Sequence, residues 1–207
     1  MSRPSTNGDG TGAERPLGAT LLSEEEKEGL LIPTVILRRD LDRFEQANIQ
    51  EARLFYANHN RSVNWLLTRE GVRAVHRRMF DQVWGWAGTF RRTGKNIGVE
   101  PERIQVDLET LLEDARFWLA NETYPPEELC VRFKHRLVFI HCFPNGNGRH
   151  ARYMADLLLS KAFDLPMFSW GGDILGRNPD LRRTYIMALR AADAGDIGPL
   201  LAFARSA

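Results

Sequence analysis

Apolar residues recur at three- and four-residue spacing along most of the chain, a pattern that predicts helices nearly throughout. Leu37, Leu41, Phe44, Ala47 and Phe55 mark one long helix, and Val72, Val75, Met79 and Val83 mark a second. The sharpest stripe is Leu108, Leu111, Leu112, Ala115, Trp118 and Leu119, with Asp107 placed to cap its start. Pro126, Glu127 and Glu128 open a further helix that presents Leu129, Phe133, Leu137 and Ile140. Asn178-Pro179 opens another, carrying Leu181, Tyr185, Ala188 and Leu189 and stopping near Gly195. Alternating, β-branched stretches are missing. Only residues 93–105, with two glycines, a proline and short apolar runs, suggest a small hairpin or flap. Residues 1–18 are rich in Gly, Ser, Thr, Pro and charge, without periodicity, and read as a disordered tail. The expected architecture is all-α: the tail, N-terminal helices over residues 19–60, and a core over residues 61–207.

Composition narrows the function classes. The 207 residues carry 28 Lys plus Arg against 27 Asp plus Glu, so no global basic field points to nucleic acid or an anionic membrane. No apolar run approaches the length of a bilayer span, and the N-terminus lacks the apolar stretch of a secretory signal. Cys130 and Cys142 flank one apolar stretch without a C-x-x-C motif, which predicts reduced thiols in a cytoplasmic protein.

One stretch departs from helical economy: Phe139-Ile140-His141-Cys142-Phe143-Pro144-Asn145-Gly146-Asn147-Gly148-Arg149-His150-Ala151-Arg152. An apolar helix ends at His141, and Pro144 prevents its continuation. Asn-Gly-Asn-Gly then tolerates positive φ, and a new helix starts near Gly148 or Arg149. A glycine-rich turn that delivers its amides to a helix N-terminus is an anion site. Arg149 and Arg152, three apart, crowd the positive end of that helix. A di- or triphosphate satisfies this pairing better than a lone carboxylate does. His141 precedes the cradle and can take a proton from a hydroxyl at neutral pH. A base beside a phosphate nest is the minimum kit for moving part of a nucleotide onto a hydroxyl. By contrast, Gly94-Lys95 lacks the other residues of a Walker loop, and His135, His141, His150 and Cys142 lack zinc-site spacing.

The stretch from His141 to Arg152 resembles the signature of Fic-domain proteins: His, any, Phe, any, an acid, Gly-Asn-Gly-Arg, two residues, Arg. Asn145 stands where that family usually has Asp or Glu. Trp84-Gly85-Trp86-Ala87-Gly88-Thr89-Phe90-Arg91 resembles its Trp-Ala-Gly segment, and the whole from about residue 20 to 203 is most similar to the branch called mobile mystery protein B. The resemblance implies a Fic-type helical bundle and a protein adenylyltransferase that moves AMP from ATP to a Ser, Thr or Tyr hydroxyl of a target protein. By motif position, His141 is the general base and Phe143 the loop anchor. Gly146 and Gly148 form the backbone anion hole, Asn147 holds the α-phosphate region, and Arg149 and Arg152 bind the β- and γ-phosphates. Mg²⁺ bridges the phosphates, with Asn145 as its weak neutral ligand. Lys95, Asn96, Ile97 and Gly98 fall in the target-positioning flap, and Tyr185 is a candidate for the adenine pocket. Glu28, in an imperfect version of the family's inhibitory motif that begins at Ser23 or Glu24, is a candidate partner for Arg152. The resemblance is compatible with a homodimer. Two rivals are a Doc-like phosphotransferase that moves the γ-phosphoryl, and a nucleotide-binding regulatory module without turnover.

Overall fold

The computed structural model describes residues 28–35, 37–59, 61–172, 175 and 178–206, so the N-terminal tail, Ser23 and Glu24 lie outside it. Among the described residues eight α-helices follow in order: α1 Arg38–Asn58, α2 Val63–Leu66, α3 Arg69–Phe80, α4 Ile104–Ala120, α5 Pro126–Ile140, α6 Asn147–Phe163, α7 Pro179–Asp193 and α8 Gly198–Ala204. The antiparallel pair α5 and α6 forms the centre, α4 and α8 flank α5, and α1 lies on α3.

The all-α expectation holds, and the helices follow the apolar stripes with local departures. Leu41, Ile49, Ala52 and Tyr56 bury one side of α1, whereas Phe44 stays 45% exposed because its neighbour Glu45 takes the inward position. Helix α4 begins at Ile104 rather than at Asp107, whose carboxylate takes the Arg103 guanidinium at 2.7 Å instead of capping backbone N–H groups. Asn178 does cap α7, its Oδ1 accepting from Asp180 N at 3.0 Å and Leu181 N at 3.1 Å. The N-terminal helices expected before residue 60 reduce, among the described residues, to α1 and a short segment at 28–31. There Leu30 bridges Trp84 and Leu31 N donates to Val83 O at 2.9 Å.

The hairpin expected over residues 93–105 is not formed. Residues 93–99 run as bends without cross-strand pairing, and residues 101–103 make a 3₁₀ turn that leads into α4. The reason lies in Arg91, which is buried and holds both legs of this flap from within. Its guanidinium donates to the carbonyls of Thr93 at 2.9 Å and of Val99, so the legs bond to one side chain rather than to each other.

Cys130 and Cys142 are both buried and free; burial pushes the Cys142 thiol up to about 12. Among the described residues no helix is long and apolar enough to cross a membrane. The most deeply buried acid among the described residues is Asp156 on α6, whose Oδ1 accepts from Trp170 Nε1 at 2.8 Å and Phe168 N at 3.3 Å. Burial outweighs these bonds and raises its carboxyl to about 7. The folded chain therefore keeps a proton there that the unfolded chain releases near the ordinary carboxyl value, so this contribution to stability is full at acid pH and is lost as pH rises through about 7. Asp156→Asn keeps an oxygen for both donors. It should flatten the fall in stability between about pH 4 and the group's folded value, read as the variant-minus-wild-type denaturation midpoint across pH. Parallel profiles for the two proteins would refute this assignment.

Candidate active site

Helix α5 stops at Ile140 because His141 takes a left-handed conformation, φ 57°. The chain then turns through residues 142–146 and starts α6 at Asn147, with Gly146 as its left-handed N-cap, φ 78°. A Cβ on Gly146 would lie 2.6 Å from the Phe80 ring, so both backbone and space require glycine there. Gly148 differs. A Cβ there would meet only Arg152 Nη1, at 3.9 Å, so the fold leaves open room above the first turn of α6. The N–H groups of Asn147, Gly148 and Arg149 precede the first intrahelical bond, His150 N to Gly146 O, and have no partner among the described residues. Three unpartnered amides at a positive helix end can accept an anion.

Two devices fix this turn. The buried Asn147 side chain accepts from Phe143 N at 2.9 Å and donates to Phe143 O at 2.7 Å. The side-chain amide thus staples the loop, which leaves the backbone N–H of Asn147 as its group without a partner among the described residues. Phe143 is fully buried and stacks on His76, with ring centroids 3.7 Å apart, while His150 meets both rings edge-on. His76 Nε2 bonds Asn145 O at 3.0 Å, and His76 Nδ1 accepts from Gly88 N at 3.0 Å. One ring nitrogen must donate and the other accept, which only the neutral imidazole does. Burial lowers the His76 pKa well below the usual range and that of His150 to about 3, so neutrality is enforced. His76 thus ties the motif loop to the Trp-Ala-Gly turn.

His141 is half-buried, and burial lowers its pKa, with the nearby Arg91 and Lys95 charges adding to the effect. Its Nδ1 is buried without a hydrogen bond of regular geometry, although the Val138 carbonyl on that side favours the protonated ring. Arg91 Nε donates to His141 O at 2.6 Å, and Arg91 N donates to Cys142 O at 3.0 Å. The flap rests on the same residue: a Cβ on Gly98, φ 103°, would come within 2.6 Å of His141 Cβ. Lys95, Asn96, Ile97 and Gly98 are all exposed, Ile97 at 62%.

The other predicted residues are placed differently. Asn145 is exposed, and its Oδ1 accepts from Gly146 N at 2.7 Å, so its amide oxygen closes its own loop. Among the described residues no group of His, Cys, Asp and Glu could hold a metal ion. Glu28 is exposed in a turn, and no carboxylate among the described residues pairs with Arg152. The candidate inhibitory contact is therefore not formed. Tyr185 is buried against Phe203 rather than lining an open pocket. Arg152 lies over its ring, 5.7 Å from the centroid, and Lys134 Nζ lies 4.6 Å from it on another side. Lys134 is fully buried, and neither its ammonium nor the Tyr185 hydroxyl has a regular hydrogen bond. Burial lowers the Lys134 pKa, while the two cations bring that of Tyr185 down despite burial.

Sequence reasoning missed Glu45. Its carboxylate, 3% exposed, accepts from Trp84 Nε1 at 2.7 Å and from Arg149 Nη1 at 2.7 Å. A signal was available, because an acid stands on the apolar face of α1 where the stripe calls for a hydrophobe.

With this geometry in hand, the relatives take their place. Residues 66–159 match the Fic/DOC family, so the chain carries a Fic/DOC domain. It is 26% identical over 192 residues to "Protein adenylyltransferase Fic" of Drosophila grimshawi, an alignment that covers 90% of this chain and 38% of that protein. The chain thus spans less than two-fifths of that curated relative's length. Fic-1 (aa134–508) from C. elegans superposes with a TM-score of 0.62 at 22% identity, covering 89% of this chain and 54% of that one. BepC from Bartonella tribocorum with bound AMPPNP gives 0.61 at 16% identity, covering 86% and 95%.

Breaking the Glu45–Arg149 pair leaves a guanidinium and a buried indole N–H without an acceptor. Because the Arg149 side chain is 26% exposed and can turn toward water, the cost should fall at the lower end of the ~3–5 kcal/mol known for broken buried pairs. Glu45→Ala measured by urea unfolding should show that loss, with Glu45→Gln retaining more. A Glu45→Ala protein within about 0.5 kcal/mol of wild type would show that the pair does not hold α1 to α6.

Proposed function

We propose that this chain is a protein adenylyltransferase that moves AMP from ATP onto a hydroxyl side chain of a target protein. One observation carries the reading: three unpartnered amides at the start of α6, with Arg149 and Arg152 on the same turns, adjoin a half-buried imidazole under an exposed flap. The amides and guanidiniums hold a polyphosphate and neutralise the charge that develops on it. His141 takes the proton of the target hydroxyl as that oxygen attacks the α-phosphorus. The bond from the α-phosphorus to the bridging oxygen breaks, and pyrophosphate leaves. The flap positions the target segment through its backbone, with Lys95, Asn96, Ile97 and Gly98 exposed to receive it. In this reading magnesium belongs to the nucleotide, carried on phosphate oxygens, and Asn145 offers it no charge. Tyr185 supports Arg152 from beneath instead of stacking on adenine. Cytoplasmic ATP and the two reduced thiols suit a cytoplasmic setting. Affiliation with the mobile mystery protein B branch rests on the sequence resemblance.

The hold of Glu45 on Arg149 favours a second reading, a nucleotide-binding module without turnover, since one of the two phosphate cations is already paired. The readings separate in one assay with the full chain, cell lysate and ATP labelled on the α- or γ-phosphate. Transfer predicts α-label on protein, lost by about 10²–10⁴-fold in His141→Ala and strongly reduced in Arg149→Ala. Saturable ATP binding without label would establish the module, and γ-label would establish phosphoryl transfer. Because burial lowers the His141 pKa, the base stays neutral below its usual value of about 6.5, so the acid limb of the transfer rate should fall below that pH.

A further inference from the structure

The groove at the foot of the flap shares no lining residue with the cradle at the start of α6, and its charge is out of proportion to that of the chain. It measures ≈ 760 Å³ and lies between α3 and the two legs of the flap, from Thr89–Arg92 on one side to Pro101–Gln105 on the other. Four exposed arginines line it, Arg69, Arg73, Arg77 and Arg92, against two acids, Glu70 and Glu102. The whole protein has a net charge of only +1.

The fold does not call for this arrangement. Arg69, Arg73 and Arg77 sit at successive four-residue steps of α3, where like charges repel, and Arg69 is at the positive end of the helix. Arg69 is partly relieved by Glu109 at 3.1 Å and Gln105 at 3.2 Å. Arg73 is pre-set rather than neutralised: its Nε donates to Gly88 O at 2.8 Å, and its guanidinium lies 5.4 Å from the centre of the Phe90 ring. Arg77 and Arg92 have neither hydrogen bond nor ion pair among the described residues. Guanidiniums ordered over an aromatic floor, with unpaired ones beside them, form a surface complementary to carboxylates.

The position of the groove says which carboxylates. Arg91, which lines the groove wall, bonds the carbonyls of His141 and of both flap legs, so the groove and the base share one rigid support. Thr89–Arg92 is at once the entry to the flap and one wall of the groove, so the flap and the groove adjoin. We propose that this groove selects the target: it docks an acidic segment of the target protein that flanks the modified hydroxyl. This deepens the adenylyl-transfer reading and rests on it for the identity of the hydroxyl.

The test uses the full chain and two fluorescein-labelled twelve-residue peptides, each with one central tyrosine, flanked by glutamates in one and by lysines in the other. Fluorescence anisotropy should show binding of the glutamate peptide only, weakening steeply between roughly 50 and roughly 300 mM salt. The triple variant Arg69→Glu, Arg77→Glu, Arg92→Glu should bind it at least roughly tenfold more weakly, with binding of a fluorescent ATP analogue unchanged. Equal binding of the two peptides, no binding of either, or a triple variant that binds like wild type overturns the proposal. So does a single-stranded RNA of the same length that binds more tightly than the glutamate peptide and is lost in the triple variant. Peptide binding does not need turnover. A chain that transfers α-label while its triple variant is indifferent in both assays refutes the groove alone, and one that docks the peptide through these arginines yet never transfers label refutes the transfer reading alone.

Discussion

The paired hydrogen bonds between the Asn147 amide and the Phe143 backbone are the constraint on which the site depends. They close a turn that runs from a left-handed histidine to a left-handed glycine and so aim three amides in one direction. Isolated, such a turn would sample many shapes, because two Asn-Gly pairs give it freedom on both sides of φ = 0. The staple removes that freedom, and the buried stack of Phe143, His76 and His150 keeps the staple dry. Both histidines serve as neutral hydrogen-bonding aromatics, a role that burial makes compulsory. The cradle is rigid before any ligand arrives, which is what electrostatic stabilisation of a transferring group requires.

The Glu45–Arg149 pair works against local economy. Taking a carboxylate out of water is costly, and a hydrophobe at position 45 would satisfy α1 as well. What the pair supplies is orientation: a guanidinium held at one corner presents its remaining N–H groups in a fixed direction, and Trp84 locks the carboxylate in turn. Arg91 follows the same logic on the other side of His141. Among the described residues its buried guanidinium pairs with no acid and is satisfied by carbonyls, so it organises two flap legs and the motif backbone through one side chain.

Helices announced themselves through spacing, and the site through a local run of residues, because in both cases the physics acts over a few positions. The stripe of α4, the proline start of α5 and the Asn178 cap could all be read directly, as could the run from His141 to Arg152. Long-range partners could not. Glu45 and Arg149 are 104 positions apart, and His76 and Asn145 are 69 apart. The absent hairpin illustrates the limit from the opposite side: glycines and short apolar runs promise a turn, but whether the legs pair depends on Arg91 beneath them. The burial of Tyr185 likewise depends on how α7 settles against α8 and Phe203.

Lys134 carries a last consequence. Its ammonium is sealed between the rings of Tyr185 and Trp170, at 4.6 and 5.7 Å, without a regular hydrogen bond among the described residues. An acylating reagent cannot reach it while the C-terminal pair stays docked, and once uncovered, with the burial that lowers its pKa removed, it reacts as an ordinary solvated lysine. That amine is therefore a built-in chemical clock, whose rate of acylation counts how often the last two helices lift from the rest of the protein.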